Sequence, residues 1–406
     1  MQTIENVQQF KIRSLTNSVY LPTIFISIGQ GSVLSFVPLF AKDLGGSIAI
    51  AGLVFAMRGL GIVLFDIPAG LIIDKIGQRK SHLLSIIFIT ISALCTAFSQ
   101  SILHLSISVF IFGAATSLWM LARLSFVSEI TPVNQRGRVI SLVGGSHRIG
   151  NFVGPILGGF IAQYYSFVEV MLVLFVGAIG ALIMVFLYLP HLESTSKTPT
   201  EKKDNSFVTV FREYKYIFLT AGTAMLLLQV LRQTRLVILP LWSDSIGLEP
   251  KDIGLIIGLS SAVDMSLFLP VGVAMDRFGR RWAAGASLLL MSLSMILITS
   301  TNDFWSLMMV GLLSGFANGL GSGIGMTLGA DFAPQRNQGQ FLGIWRFVTD
   351  IGTSSGPFII AGIAGIATLG IASVSVGLSG LIGVLLIWKK VPETLQKKKK
   401  IELWRQ

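Results

Sequence analysis

Residues 66–80 read D-I-P-A-G-L-I-I-D-K-I-G-Q-R-K, and residues 268–282 read F-L-P-V-G-V-A-M-D-R-F-G-R-R-W. Each stretch begins inside a long apolar run and leaves it through a glycine, an acid, a second glycine and a basic cluster. A helix with that ending has crossed a bilayer core and is turning at a charged interface. The two stretches match at an offset of 202 residues: Pro68 with Pro270, Gly70 with Gly272, Asp74 with Asp276, Gly77 with Gly279, and Arg79 with Arg281. The same offset joins Pro38 to Pro240, Gly45 to Gly247, Gly52 to Gly254, Gly113 to Gly315, Pro132 to Pro334 and Gly137 to Gly339. It also joins Gly150, Gly154 and Pro155 to Gly352, Gly356 and Pro357. The matches fall mainly on glycine and proline, where backbone geometry and close approach select the residue. The chain reads as two copies of one fold.

Composition says where that fold lives. Of 406 residues, 52% are hydrophobic and only 13% charged, with a mean hydropathy of +0.74. A soluble domain carries about a quarter charged residues, so this chain lacks the charge to cover a water-facing surface. Twelve apolar runs reach the length needed to span a bilayer core, at roughly 17–40, 48–73, 82–99, 103–128, 140–164, 168–190, 215–242, 252–275, 283–300, 304–330, 340–366 and 370–388. The 43 glycines suit close helix packing in lipid. The expected fold class is an all-α polytopic membrane protein. Six spans per copy give both copies the same orientation, so the halves are parallel and related by an axis along the membrane normal. The expected division is an N-terminal half at 1–190, a polar linker at 191–214, a C-terminal half at 215–390 and a basic tail at 391–406. The run at 17–40 follows a polar stretch with no cleavage-site pattern and is read as a retained helix.

The net charge of +11 is an orientation signal. Between spans, Lys and Arg crowd one set of intervals, including Lys75, Arg79, Lys80, Arg136, Arg138, Arg277, Arg280 and Arg281, along with Lys11 and the tail Lys397–Lys400. The opposite loops hold only Lys42 and Lys251. By the positive-inside rule both termini are expected in the cytoplasm of a cell (plasma or inner) membrane protein. Loops this short are not expected to bind nucleic acid. Cys95 is the only cysteine, which excludes an intramolecular disulfide and a cysteine metal site. No cofactor or metal is expected. Phosphate-binding G-K-S/T loops and the H-E-x-x-H and G-x-S-x-G motifs are absent, so an enzyme is not expected.

The duplicated turn resembles the signature between helices 2 and 3 of the major facilitator superfamily, in outline G-x-x-x-D-R/K-x-G-R-R/K. Gly70, Asp74, Lys75, Gly77 and Arg79 fit, with Gln78 where an arginine is usual; Gly272, Asp276, Arg277, Gly279, Arg280 and Arg281 fit more fully. The resemblance covers the whole chain. It implies a secondary active transporter working by alternating access, with spans 1, 4, 7 and 10 on a central cavity and spans 2, 5, 8 and 11 between the halves. It further implies that Gly70, Asp74, Gly77, Arg79, Gly272, Asp276, Gly279 and Arg281 take part in gating. A second motif, Gly150-x-x-x-Gly154-Pro155-x-x-Gly158-Gly159, matches a pattern of proton-coupled exporters, and its residues, with Gly356 and Pro357, are expected to bend or closely pack their helices. An arginine usual in the fourth span of drug/proton antiporters is missing: Val109 stands there, and Arg123 lies much farther along.

Ionisable residues inside spans are costly and face cavities or partners. They are Arg58, Asp66, Arg123, His147, Arg148, Arg232, Arg235, Asp264, Arg346 and Asp350. Six arginines face three acids, which points to a substrate with an anionic group. Arg148 and Arg235 are the expected binding residues, with Gln30, Asn151 and Asn318 as further candidates. Arg123, Arg232 and Arg235 have the alternative of snorkelling or binding helix ends. Arg346 and Asp350, four apart on one helical face, are expected to pair; Arg58, Asp66 and Arg346 join the gating set. Arg148 and Asp350 occupy equivalent places in the repeat, and a pair between them is also expected. His147, read as the one histidine within a span, and Asp264 or Asp350 are the expected proton-coupling groups. The expected function is proton-coupled export of a small amphipathic or anionic solute by a monomer in the lipid bilayer, with protons or another ion as the coupling partner. Proton-linked import and lipid flipping on the same fold remain open, and a membrane-embedded receptor or enzyme is a distant alternative.

Overall fold

The computed structural model describes residues 12–190, 207–335 and 337–395. Most of the expected linker, Arg336, Lys11 and the lysines 397–400 lie outside the described residues. Twelve membrane-length helices are present among those described: α1 (Ile12–Asp43), α2 (Ile48–Ile76), α3 (Gln78–Ala97), α4 (Ile102–Ile130), α5 (Val133–Tyr164) and α6 (Phe167–Tyr188), then, after a short α7 (Phe207–Glu213), α8 (Lys215–Ser245), α9 (Pro250–Phe278), α10 (Arg280–Ser300), α11 (Phe304–Phe332), α12 (Gln338–Ile366) and α13 (Leu369–Lys390). Eleven are both long and apolar enough to cross a membrane. The twelfth, α5, has 32 residues but carries Arg136, Arg138, His147 and Arg148, which dilute its hydropathy.

Helix ends follow from local chemistry and repeat with the sequence. On the face away from the termini, Ser101 and Asp303 cap α4 and α11, and Ser166 and Thr368 cap α6 and α13, each accepting a backbone N–H of the first turn. These caps stand at equivalent places in the two copies. On the terminal face, Gly77 and Gly279 each end one helix and start the next at φ of 83° and 107°. A side chain would be strained at that φ, which explains the glycine in both copies of the motif.

The packing repeats too. In the first copy α1 packs on α5 and α6, α2 on α4, and α3 on α4 and α6; in the second, α8 packs on α12 and α13, α9 on α11, and α10 on α11 and α13. The copies join along two seams, α5 against α9 and α2 against α12. Both seams are tight toward the far face. A Cβ on Gly159 would meet the Gly254 Cα at 2.9 Å, and one on Gly52 would meet Ala361 at 3.3 Å, two contacts equivalent under the repeat. Lys42 and Asp244, also repeat equivalents, form an ion pair between the far ends of α1 and α8. Toward the terminal face the seams part. Gly272 has nothing within 4 Å and Gly70 touches only Leu121 of its own half. Ile67, Leu71, Leu269 and Val273 are 67–76% exposed there. The structure is closed on the far face and open on the terminal face.

Two elements depart from the expected spans. Residues 207–213, expected as linker, are helical, because composition turns apolar at F-V-T-V-F: Val210 is buried and Phe211 stacks on Phe218 at 5.5 Å. The tenth span is broken. Its helix runs Phe304–Leu320, and a new one starts at Ile324 after Gly323 at φ 76°. Its repeat equivalent, α4, is continuous.

Candidate functional site

The charges inside the bundle gather at the seams. On α5, the Arg148 guanidinium reaches from the first half to three groups of the second. Nη1 donates to Asp264 Oδ2 at 2.6 Å, Nη2 donates to Ser322 Oγ at 3.0 Å, and the Phe268 ring lies 4.6 Å from its centre. Asp264 Oδ1 is buried without a partner. Asp264 lies on α9 and Ser322 in the break of α11, so one arginine touches both elements across the seam. Arg232, on α8, holds that break: Nη2 donates to the carbonyls of Gly321 at 2.7 Å and Asn318 at 3.4 Å. This is a guanidinium on a helix end, where the last carbonyls of the Phe304–Leu320 helix lack intrahelical donors. Arg235, 7% exposed, reaches Ser260 Oγ at 3.4 Å. The Asn318 side-chain oxygen is buried without a partner.

The expected Arg148–Asp350 pair does not form. Arg148 is taken by Asp264, while Asp350 accepts from Arg346 Nε at 3.2 Å, as expected from their i,i+4 spacing. The reason is symmetry. Repeat equivalents are related by the axis between the halves, so they meet only near it, as Lys42 and Asp244 do; Arg148 and Asp350 sit on opposite seams. Arg346 also approaches Asp66 of α2 at 3.9 Å, and Asp66 accepts from Ser117 at 2.5 Å. Each seam thus carries an ion pair with reversed polarity: arginine from the first half at α5–α9, arginine from the second at α2–α12.

On the first half, His147 Nδ1 lies 2.7 Å from Ser27 Oγ, and Gln30, 1% exposed, donates to Thr116 at 3.4 Å. Asn151 is half-buried on α5. Arg58 lies 5.9 Å from the Phe112 ring. His147 is not the only histidine inside the bundle: His82, at the start of α3, is 1% exposed. It is the first residue of the third apolar run, 82–99. Sequence reasoning also missed Ser322 and Phe268, although the G-S-G around Ser322 was a helix-break signal.

The glycines of the fifth-span motif serve as contact surface. Gly150 and Gly154 lie against the α1 backbone at Ser27–Ile28, Gly158 against Phe36, and Ser32 Oγ donates to Gly154 O at 2.7 Å. Helix α5 continues through Pro155. In the second half, Gly356 lies against Val230 and Thr234, beside Pro357.

The charged turns bind within their own halves. Gln78 donates to Glu129, and the equivalent Arg280 pairs with Asp331 at 3.2 Å. Arg280 also pairs with Asp276 at 3.3 Å, and Arg79 donates to the Phe186 carbonyl at 3.2 Å. Asp74 is exposed and has no ion pair among the described residues. At the second turn, Glu393, just beyond α13, accepts the backbone N–H groups of Arg280 and Arg281 at 2.9 and 3.0 Å, capping α10, while the Arg281 side chain lies 5.3 Å from the Trp388 ring.

Comparison with known proteins places this arrangement. The chain is similar to the Quinolone resistance protein NorA of Staphylococcus aureus (strain COL), 25% identical over 297 residues, covering 72% of this chain and 75% of that protein. It is 28% identical over 174 residues to the Multidrug resistance protein MdtG of Escherichia coli O9:H4 (strain HS), covering 42% of each. Its fold matches the crystal structure of a POT family transporter at a TM-score of 0.79, with 14% identity over 93% of this chain and 95% of that one. The xylose transporter XylE from E. coli matches at 0.72, with 16% identity over 95% and 98%. The family profile of the Major Facilitator Superfamily covers residues 19–235 and, a second time, 221–406. On these matches and the shared two-half fold, the chain belongs to the Major Facilitator Superfamily, and it is a multi-pass membrane transporter rather than an enzyme.

Proposed function

We propose that this transporter exports a small amphipathic solute with an acidic group, in exchange for protons, and that its terminal face is cytoplasmic. Charge carries the reading. Among the described residues Arg58, Arg123, Arg232 and Arg235 have no carboxylate at ion-pair distance; Asp264, the acid near Arg232 and Arg235, is held by Arg148, and Asp66 is engaged by Ser117 and Arg346. A low-dielectric interior magnifies that uncompensated field. The names of the relatives, a quinolone resistance and a multidrug resistance protein, support outward movement. The basic clusters around Lys75–Lys80 and Arg277–Arg281 support the orientation.

Asp264 is the proposed proton site. Ionised, it fixes Arg148 across the α5–α9 seam; protonated, it loses its charge and frees the tether, so the proton and the intact pair exclude each other. His147, the residue before Arg148 on α5, is the second candidate. Closure of the terminal face would bring the exposed Asp74 and its neighbours Gly70, Gly77 and Arg79 against the other half, with Arg346 and Asp66 at the adjoining seam.

A second reading, proton-linked uptake, has one observation in its favour. A solute anion seated on Arg148 itself strips Asp264 of its ion-pair partner, and the proton then travels with the solute. Transport of a fluorescent quinolone in right-side-out and inverted vesicles under an imposed pH gradient separates the two. Export predicts uptake into inverted vesicles acidified inside, lost in Asp264→Asn and His147→Ala while binding persists. Movement of quinolone and protons in the same direction establishes the second reading. Gradient-driven transport intact in both variants refutes the proton sites.

A further inference from the structure

The terminal-face part of the first half holds a second concentration of donors, away from the Arg148–Asp264 pair. Arg123 lies near the end of α4 and is 8% exposed. Its Nη1 donates to Thr23 Oγ1 of α1 at 3.0 Å, and its guanidinium lies 4.0 Å from the centre of the Trp119 ring. Thr23 Oγ1 spends its own proton on the Val19 carbonyl at 2.6 Å, so it meets Arg123 as an acceptor. Helix α3 packs antiparallel on α4, in a register marked by Gln78 bonding Glu129, so His82 lies one turn further along α3, level with the turn of α4 that carries Arg123.

The polar atoms of this cluster are out of balance. Trp119 Nε1 and His82 Nδ1 are buried without hydrogen-bond partners, in side chains each 1% exposed. An indole N–H and a guanidinium donate only. Among the described residues no carboxylate lies at ion-pair distance from Arg123, and Asp66, the one described acid of this half that is not exposed, is occupied by Ser117 and Arg346. A cation buried against an aromatic face, with spare donors and one hydroxyl as acceptor, lacks a counter-charge. Among the described residues Arg123 has neither a carbonyl nor an acid as hydrogen-bond partner.

We propose that Arg123, Trp119, His82 and Thr23 form a subsite for the carboxylate of an organic anion, distinct from the Arg148–Asp264 pair. The guanidinium supplies the charge, the indole N–H and the imidazole supply further hydrogen bonds, and the stacked Trp119 ring fixes the guanidinium plane. The subsite deepens the reading of an acidic solute and rests on it only for the solute's passage; occupancy is measurable without transport.

The test is calorimetric titration of the full-length protein, in nanodiscs of zwitterionic lipid, with benzoate and with benzamide, its neutral isostere. The wild type binds benzoate at least about tenfold more tightly than benzamide. Arg123→Gln abolishes that preference and Arg123→Lys restores part of it. Trp119→Phe keeps the ring, removes the N–H and weakens benzoate about threefold; it is the deciding variant if Arg123→Gln is not monodisperse. A benzoate preference that survives both Arg123→Gln and Trp119→Phe overturns the subsite and leaves the transporter reading standing. A wild type that does not distinguish the two ligands overturns the subsite and the acidic-solute reading together.

Discussion

Substituting Gly254 by alanine tests whether the far-face seam is one of two alternating arrangements. The added Cβ would meet the Pro155 carbonyl oxygen, the Gly159 Cα at 2.9 Å and the Gly159 N at 3.2 Å, all backbone atoms of the opposite half. None can rotate aside, so α5 and α9 must separate, and overpacking of this kind costs about 1–3 kcal/mol. Alanine raises helix propensity by up to about 1 kcal/mol in any arrangement, so the cost falls on the far-closed form and not on the fold as a whole. A penalty of about 1–3 kcal/mol shifts the ratio of far-closed to far-open molecules by roughly 5- to 150-fold. The equivalent Gly52→Ala places its Cβ no nearer than 3.3 Å to Ala361 and serves as the graded control, with a smaller shift in the same direction. With Cys95 replaced by serine, spin labels at Asp43→Cys and Ser245→Cys, both exposed at the far ends of α1 and α8, report the separation by pulsed EPR. The expected result is growth of a long-distance population in Gly254→Ala and less growth in Gly52→Ala, with little change in thermal stability. An unchanged distance distribution in Gly254→Ala refutes the reasoning.

Three further outcomes follow from particular contacts. Arg148→Gln and Asp264→Asn each leave a charged partner in a site where the side chains are 19% and 12% exposed, so each single variant loses more thermal stability than the double variant, with a coupling of about 1–3 kcal/mol; additive losses in a thermal-unfolding cycle rule out the pair. Glu393→Ala removes the carboxylate that caps α10, so amide exchange at Arg280 and Arg281 accelerates while the equivalent first turn of α3 is unaffected; equal protection in both proteins contradicts the cap. Asp303 caps α11 outside the span, and hydrogen bonds from Ser306 and Trp305 hold its carboxyl below the usual value. A depressed folded-state value means the cap is complete above the unfolded carboxylate range and is lost as pH falls through the lower folded value. Protection of the Trp305 and Ser306 amides, measured relative to Asp303→Asn at each pH, should therefore decline only under acid conditions; a pH-independent ratio defeats it.

Much of the architecture was legible in residue order, because the constraints behind it are local. Bilayer thickness demands long apolar runs, and those runs are visible without coordinates. Gly77 and Gly279 had to be glycine at their φ, and Gly52 and Gly254 had to be small where the halves touch, so duplication left its clearest trace at these residues. The Arg346–Asp350 pair was readable for the same reason, since four residues on one helix are neighbours whatever surrounds them. The break at Gly321–Gly323 left a readable G-S-G, yet the hydropathy of the tenth span passes through it without interruption.

Which buried charges meet was a different question. Arg148 and Asp264 lie 116 residues apart on helices from different halves, and nothing local in either helix names the other. Equivalence under the repeat pointed to Asp350 instead, but a two-fold axis carries equivalent residues to opposite seams and brings them together only where the helices cross near the axis, as at Lys42 and Asp244. The unbalanced cluster at Arg123 likewise needed the packing of α1, α3 and α4 to put Thr23 and Trp119 on one guanidinium and His82 a neighbouring turn away. By itself the sequence determined a duplicated twelve-span membrane fold, through requirements of the bilayer and of single turns of chain. Only the tertiary structure decided which arginines meet an acid and which do not, because pairing depends on how helices distant in the chain are rotated and placed against one another.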